Sequence, residues 1–236
     1  MFKPIRVTIA TKTPVCLGHP WLHLDGLLGH VIMRRELGES YYTLPSKKPL
    51  RLDRRFSIRM PIARVRHPRL DDWFYRASVS FFDSDKLYAS TIYKRFHEAW
   101  SHRVATRKTK IMLGKGFYRL HMIKLPYRPA GRVVFYAYGN PREVEDLLSD
   151  LPGLGKKTVI GFGGIREVTV EEIDRDMSLV DEHGRAMRPL PIWAVAEADD
   201  VVPLAYKPPY WSKYNVKPCA PPGARVVLQP WICRSG

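Results

Sequence analysis

Five glycines and two adjacent lysines fall within fifteen residues, Leu151-Pro-Gly-Leu-Gly-Lys-Lys-Thr-Val-Ile-Gly-Phe-Gly-Gly-Ile165, between a stretch patterned as a helix and one patterned as a strand. Such a segment takes the chain from helix to strand through backbone conformations with φ > 0, which glycine reaches without a Cβ penalty. It also turns amide N–H groups and cations toward one place, the arrangement that suits phosphate. The bland alternative is that the glycines do no more than make a tight connection.

Two familiar phosphate loops do not fit. A Walker loop requires Gly-x-x-x-x-Gly-Lys-Ser/Thr, but Gly155-Lys156 is followed by Lys157 and the position five before Gly155 is Asp150. A dinucleotide fingerprint opens a helix, whereas Gly161-Phe-Gly163-Gly164 leads into Ile165-Arg-Glu-Val-Thr-Val170, a strand pattern. Neither a nucleoside triphosphate nor NAD is indicated, and no other cofactor is expected.

Charge points to a polyanion. The chain carries 39 Lys+Arg against 23 Asp+Glu, a formal +16, with a pI near 9.9. Residues 41–124 hold 20 Lys/Arg and 6 Asp/Glu, a net +14, whereas residues 141–200 hold 7 and 14, a net −7. Within the basic part, Tyr93-Lys-Arg-Phe-His-Glu-Ala-Trp100, Arg103-Val-Ala-Thr-Arg-Lys-Thr-Lys110 and Gly114-Lys-Gly-Phe-Tyr-Arg119 interleave cations with aromatics. Cations neutralise phosphates and aromatic faces stack on unpaired bases at roughly 1–3 kcal/mol each, which favours a single strand over a duplex. Lys94, Arg95, Arg103, Arg107, Lys108, Lys110, Lys115 and Arg119 are therefore candidate contacts to a single-stranded nucleic acid, the alternative being a solvated basic face with its aromatics turned inward.

With 236 residues and 45% hydrophobic content, the chain can bury a substantial core. It has no apolar run of membrane-spanning length, and Met-Phe-Lys-Pro-Ile-Arg lacks a signal-peptide core, so no membrane partner and a cytoplasmic location are expected. Cys16, Cys219 and Cys233 are odd in number and widely spaced, so neither a disulfide framework nor a metal site is expected.

Ile5-Arg-Val-Thr-Ile-Ala10 alternates as a strand, and the apolar stripe of Leu27, Leu28, Val31 and Ile32 predicts a helix from Leu27 to Leu37 with Arg34 and Arg35 at its basic end. Asp25 suits its N-cap or first turn. Ser57–Arg66 and Phe74–Phe82 pattern as a strand pair, Gly131–Tyr138 as a strand, and Pro141–Asp150 as a helix with Pro at its start, before the glycine loop and a strand over 165–172. Strand, helix, strand, strand, helix, strand is the split βαβ plan. The expected fold class is α+β: a ferredoxin-like (RRM-like) core over residues 1–172, interrupted by a basic excursion at about 84–125, with an irregular proline-rich extension over 173–236 that packs on the core or a partner.

The first strand followed by His23-Leu-Asp-Gly-Leu-Leu28, this element order and the terminal glycine loop resemble the RAMP superfamily of CRISPR-associated proteins. The details are most similar to the Cas-five-like subunit of type IV effector complexes, which caps crRNA at its 5′ handle. The resemblance covers about residues 1–172. It implies a non-catalytic RNA-binding subunit whose protruding thumb hairpin, at the position of the basic excursion, packs on the neighbouring backbone subunit. Lys156, Lys157, Gly161 and Gly163 match the family loop, and Arg34 and Arg35 join them as candidate contacts. The implied partners are the crRNA 5′ handle and the backbone and large subunits, with contact to target DNA left open.

Another branch of that superfamily cleaves precursor crRNA without metal, which requires a paired general base and acid. His19, His23 and His30 lie near the first helix, where that branch carries its histidine, but no spacing pairs any of them with a second proton-transfer group. Glu171-Glu-Ile-Asp-Arg-Asp176 could supply a metal nuclease, although its alternation fits a solvated strand edge. A purely structural assembly protein is the remaining alternative.

Overall fold

The computed structural model describes residues 1–38, 41, 59–97, 99, 112–115 and 118–233. The central sheet contains β1 (Lys3–Thr11), β5 (Phe81–Phe82), β8 (Arg132–Gly139) and β9 (Ile165–Glu172), in the order β5-β8-β1-β9. The three long strands are antiparallel, with Val7 opposite Phe135 on one side and Val170 on the other. Period-two alternation places Ile5, Val7 and Ile9 on the face that also buries Val133, Phe135 and Ala137. Two helices pack into that same core: α1 (Leu24–Leu37) through Leu24, Leu28 and Val31, and α2 (Pro141–Ser149) through Val144, Leu147 and Leu148.

Both helix starts have a chemical reason. Pro141 occupies the first turn of α2, and the Asn140 side chain accepts from Glu143 N–H at its N-cap. At α1 the N-cap is His23, without a side-chain bond, and Asp25 sits inside the first turn. The helix begins three residues before Leu27, because Leu24 and Leu28 extend the buried stripe back to the cap.

The expected pair at 57–66 and 74–82 is only partly realised, and residues 57 and 58 lie outside the described residues. β3 (Arg64–Arg66) pairs with β4 (Trp73–Tyr75), but Phe81–Phe82 leaves to join the central sheet beside β8. Serines cause the break. Ser78 Oγ accepts from Tyr136 N–H and Ser80 Oγ from Leu22 N–H, so these side chains take bonds that a continuous ladder would make.

The basic excursion contains an antiparallel pair, β6 (Tyr88–Lys94) and β7 (His121–Arg128), with Lys94 opposite His121. Arg103, Arg107, Lys108 and Lys110 lie outside the described residues. At its base β7 also pairs with β2 (Val15–Cys16).

Residues 173–233, expected to be irregular, instead carry five short strands. β10 (Leu190–Pro191), β13 (Val216–Ala220) and β12 (Val202–Ala205) form one small sheet, and β11 (Val195–Ala198) pairs with β14 (Val226–Leu228). The prolines do not prevent this, because the strands are too short to need an uninterrupted ladder: Pro203 stands opposite Pro218 in the register. Leu190, Ala194, Tyr206, Cys219 and Ile232 bury a second core that also takes in Val65 and Phe74 from β3 and β4. Cys16 and Cys219 are free buried thiols, and burial pushes Cys219 up to about 12. Among the described residues no helix is long and apolar enough to cross a membrane.

Candidate nucleic-acid interface

The glycine loop is tied down by its own amides. Leu154 N–H donates to Gly163 O, Lys156 N–H to Cys16 O and Gly163 N–H to Pro14 O, each at 2.8 Å. Ile160, Gly161 and Phe162 donate within the loop, and Gly164 N–H donates to Thr13 Oγ1. Seven amides are thus occupied by the protein itself. The expectation of a bare amide cradle changes accordingly: most of the loop's N–H groups hold its shape, and cations are left to meet an anion.

Gly163 shows why glycine is required. It is buried at φ +65°, and a Cβ would overlap the Leu154 carbonyl. It shapes the loop instead of facing a ligand. Gly161, at φ +98°, is exposed with open space around it.

Lys156 and Lys157 are both exposed at the loop's outer edge. The Lys156 side chain runs over Gly18, where a Cβ would collide with it. Lys157 holds φ +64°, a left-handed conformation that starts the short 3₁₀ turn Thr158–Ile160. Val159 on that turn is 98% exposed; nothing in the sequence pattern singled it out, because an apolar residue inside an apparent strand lead-in reads as core.

β2 joins this loop to the hairpin. Its Cys16 carbonyl accepts from Lys156 and its backbone pairs with Tyr127 of β7. Phe162 packs on Tyr127 at 5.8 Å between ring centroids, and Tyr127 stacks on Tyr88 at 5.8 Å. The two regions with the strongest sequence signals are therefore neighbours in space. Seven residue pairs at about 3.3 Å each then carry the hairpin about 23 Å outward. At its far end lie exposed Lys94, Arg95 and Tyr93, the Arg95 guanidinium 5.7 Å from the Tyr93 ring; Lys115 and Arg119 are also exposed.

Arg34 and Arg35 are placed differently. Arg35 donates to Asp146 Oδ2 at 2.6 Å and to Asp150 Oδ2 at 2.7 Å, and Arg34 donates to Asp150 O at 3.3 Å. The basic end of α1 is a clamp on α2. Three of the four acids at 171–176 are likewise engaged, Glu171 with Arg6, Glu172 with Lys3 and Asp176 with Arg76. Among the described residues no group of three or more His, Cys, Asp or Glu could hold a metal ion.

The three histidines sit in three different environments. His19 is exposed. His23 stacks on Tyr210 at 3.6 Å and its Nε2 accepts from Trp21 Nε1 at 3.2 Å. Burial, then the charges of Arg188 and His19, hold its pKa well below the usual histidine range. His30 Nδ1 lies 2.6 Å from the Tyr41 hydroxyl, and burial, with Arg34 nearby, lowers its pKa too.

A buried polar network beneath this region escaped the sequence reading. Arg188 is fully buried and donates to the carbonyls of Tyr75, Ala77 and Tyr206 and to the Tyr210 hydroxyl, with Asp25 at 3.6 Å. The Tyr210 hydroxyl donates to the Asp25 carboxylate at 2.7 Å. Asp72 accepts from Tyr206, Lys207, Lys217 and Trp193. Burial alone would raise the Asp72 pKa, but these donors outweigh it and hold the carboxyl far below the carboxylate range. Most of these partnerships span more than a hundred residues of sequence, so no local signal announces them.

A family model described as CRISPR type IV associated protein Csf3 matches residues 3–222. No curated protein matches the chain. Among solved structures the chain is similar to one described as the cryo-EM structure of the Type III-B Cmr-beta bound to cognate target RNA, at 14% identity and a TM-score of 0.39. That similarity covers 72% of this chain, which spans 61% of the length of the other.

Proposed function

The chain belongs to the Csf3 family of CRISPR type IV associated proteins, and from that premise we propose that it is a non-catalytic subunit of a CRISPR effector ribonucleoprotein that grips the 5′ handle of crRNA. The observation that carries the reading is the pairing of two exposed lysines, Lys156 and Lys157, on a loop locked by its own amides and fastened through β2 to the base of the basic hairpin. A rigid loop presents its charges without an ordering cost on binding. Their attraction to phosphate is independent of base sequence.

In this reading residues 1–172 are a ferredoxin-like RAMP unit. The order β5-β8-β1-β9, with α1 and α2 in one core, supports it. The β6–β7 hairpin is the thumb, reaching the backbone subunit and adding Lys94, Arg95, Lys115 and Arg119 to the RNA path. The extension, residues 173–236 in the chain, is fixed to that unit through its described part, residues 173–233. The bonds that Asp25 and Asp72 make with Arg188, Tyr206, Lys207, Tyr210 and Lys217 support that attachment, while Arg34 and Arg35 pack α1 on α2.

The test is RNA binding by the Lys156→Ala/Lys157→Ala variant across a salt series. Affinity falls for every single-stranded sequence, and the slope of log affinity against log salt becomes shallower by about 0.7 per lost phosphate contact. Unchanged affinity and slope would overturn the reading. Labelled repeat RNA incubated without metal stays intact; site-specific cleavage that His19→Ala, His23→Ala or His30→Ala abolishes would replace the non-catalytic reading with the endoribonuclease one.

A further inference from the structure

Trp211 is 86% exposed and Tyr214 is 81% exposed, more than any other aromatic side chain among the described residues. The turn that carries them is held from beneath. Tyr210 is anchored by its hydroxyl on Asp25 and by its ring on His23. Asn215 is buried, its Nδ2 donating to Pro209 O at 3.1 Å and its N–H to Ser212 O at 3.1 Å, while Ser212 N–H donates to Pro209 O at 3.0 Å. Inward anchors at 210 and 215 thus alternate with outward rings at 211 and 214. Two large apolar faces kept in water by a fixed backbone contribute nothing to the protein's own core, and they are organised for an external partner.

The surroundings select that partner's chemistry. Residues 201–236 contain five Lys/Arg and no Asp or Glu. Lys207 and Lys217 are engaged by Asp72, and the Lys213 ammonium sits 5.4 Å from the Tyr214 ring between the two exposed aromatics in sequence. Rings flanked by a cation in an acid-free stretch suit a polyanion with accessible bases better than an apolar protein surface. The location agrees. The Lys156 side chain crosses Gly18, and Tyr210 stacks on His23. Gly18 and His23 are five residues apart in the chain, so the two contact points are separated by at most about 18 Å. Exposed His19 and half-buried Trp21 lie along that span.

We propose that the turn at residues 208–215 is a second single-stranded RNA contact, in which unpaired bases stack on Trp211 and Tyr214 while Lys213 meets a phosphate, continuing the strand gripped at Lys156 and Lys157. This rests on the RNA-binding reading above. It adds a stacking surface on the extension to a grip otherwise made of cations.

The experiment uses the full chain and a 20-nucleotide unstructured RNA, titrated over a salt series with the parent, Trp211→Ala/Tyr214→Ala, Trp211→Phe/Tyr214→Phe and Lys156→Ala/Lys157→Ala. Loss of stacking weakens affinity roughly 5- to 150-fold per base, and it leaves the salt slope unchanged because no charge is removed. The Phe variant restores most of the affinity. Both rings are exposed, so thermal unfolding of the Ala variant matches the parent. Parental affinity in the Ala variant, alongside weakened binding by the lysine variant, overturns this proposal and leaves the RNA-binding reading standing. A parent that binds no RNA overturns both. Intact RNA binding combined with failure to join the other subunits of the complex assigns the turn to a protein partner and also overturns it.

Discussion

Residue-scale chemistry here turns on three closely packed residues, Gly163, Arg188 and His23. Replacing Gly163 with Ala adds a Cβ at positive φ that meets the Leu154 carbonyl. The expected cost is about 2 kcal/mol or more in chemical denaturation; a change within 0.5 kcal/mol, the range usual for neutral surface sites, would show that the loop relaxes freely. Arg188→Met strips the donors from three carbonyls and leaves Asp25 buried without its cation, so a loss of about 3–5 kcal/mol is expected by the same measurement. His23 works in the opposite sense to an ion pair. Its folded pKa lies below the unfolded value of about 6.5, so below that pH the unfolded chain binds a proton that the folded chain refuses. Stability therefore declines as pH falls through about 6.5, with a limiting slope of about 1.4 kcal/mol per pH unit for this group. A His23→Phe variant, which keeps a ring against Tyr210, flattens that decline and leaves the smaller part owed to His30. Melting curves between pH 5 and 8 show whether the slope disappears.

Elements formed where local pattern and tertiary demand agree. The alternation of Ile5, Val7 and Ile9, the Asn140-Pro141 start of α2 and the glycine loop were legible because each is dictated within a few residues. The break between β4 and β5 was not, since Phe74–Phe82 reads as one apolar strand until Ser78 and Ser80 find backbone partners on β8 and at Leu22. Of the candidate site, the lysine pair and the hairpin were legible as charge. Arg34 and Arg35 look identical in sequence to the other candidate contacts, and no local pattern announces their bonds to Asp146 and Asp150. The hairpin can be tested as an element. Lys94 and His121 face each other across the register, so residues 95–120 can be replaced by Asn-Gly in a two-residue turn. Thermal stability of the shortened protein should stay within a few degrees of the parent. Its RNA affinity should fall tenfold or more at 150 mM salt, with a shallower salt slope, because the deletion removes seven Lys/Arg. Parental RNA binding would exclude the hairpin from the interface.

The whole molecule is two apolar cores stitched by buried charge. β3 and β4 lend Val65 and Phe74 to the second core, while Asp25 and Asp72 receive their donors from beyond residue 187. Asp72 is depressed, so the stability it contributes is present above the unfolded carboxylate pKa of about 3.9 and fades as pH falls below it. Acid unfolding should therefore proceed as one transition by far-ultraviolet circular dichroism and by tryptophan fluorescence, because Trp193 and Trp231 in the second core report on the same event as the central sheet. Separate midpoints would mean that the two cores unfold independently.

The direction of this stitching gives translation a say in assembly. Asp25, Asp72, Val65 and Phe74 emerge from the ribosome long before Arg188, Tyr206, Tyr210 and Lys217. Until those late residues arrive, two carboxylates in the early chain have only a neighbouring amide each, and the apolar surface of Val65 and Phe74 lacks its covering core. A chain interrupted before residue 188 lacks every one of these late donors, and it is expected not to close its own interior.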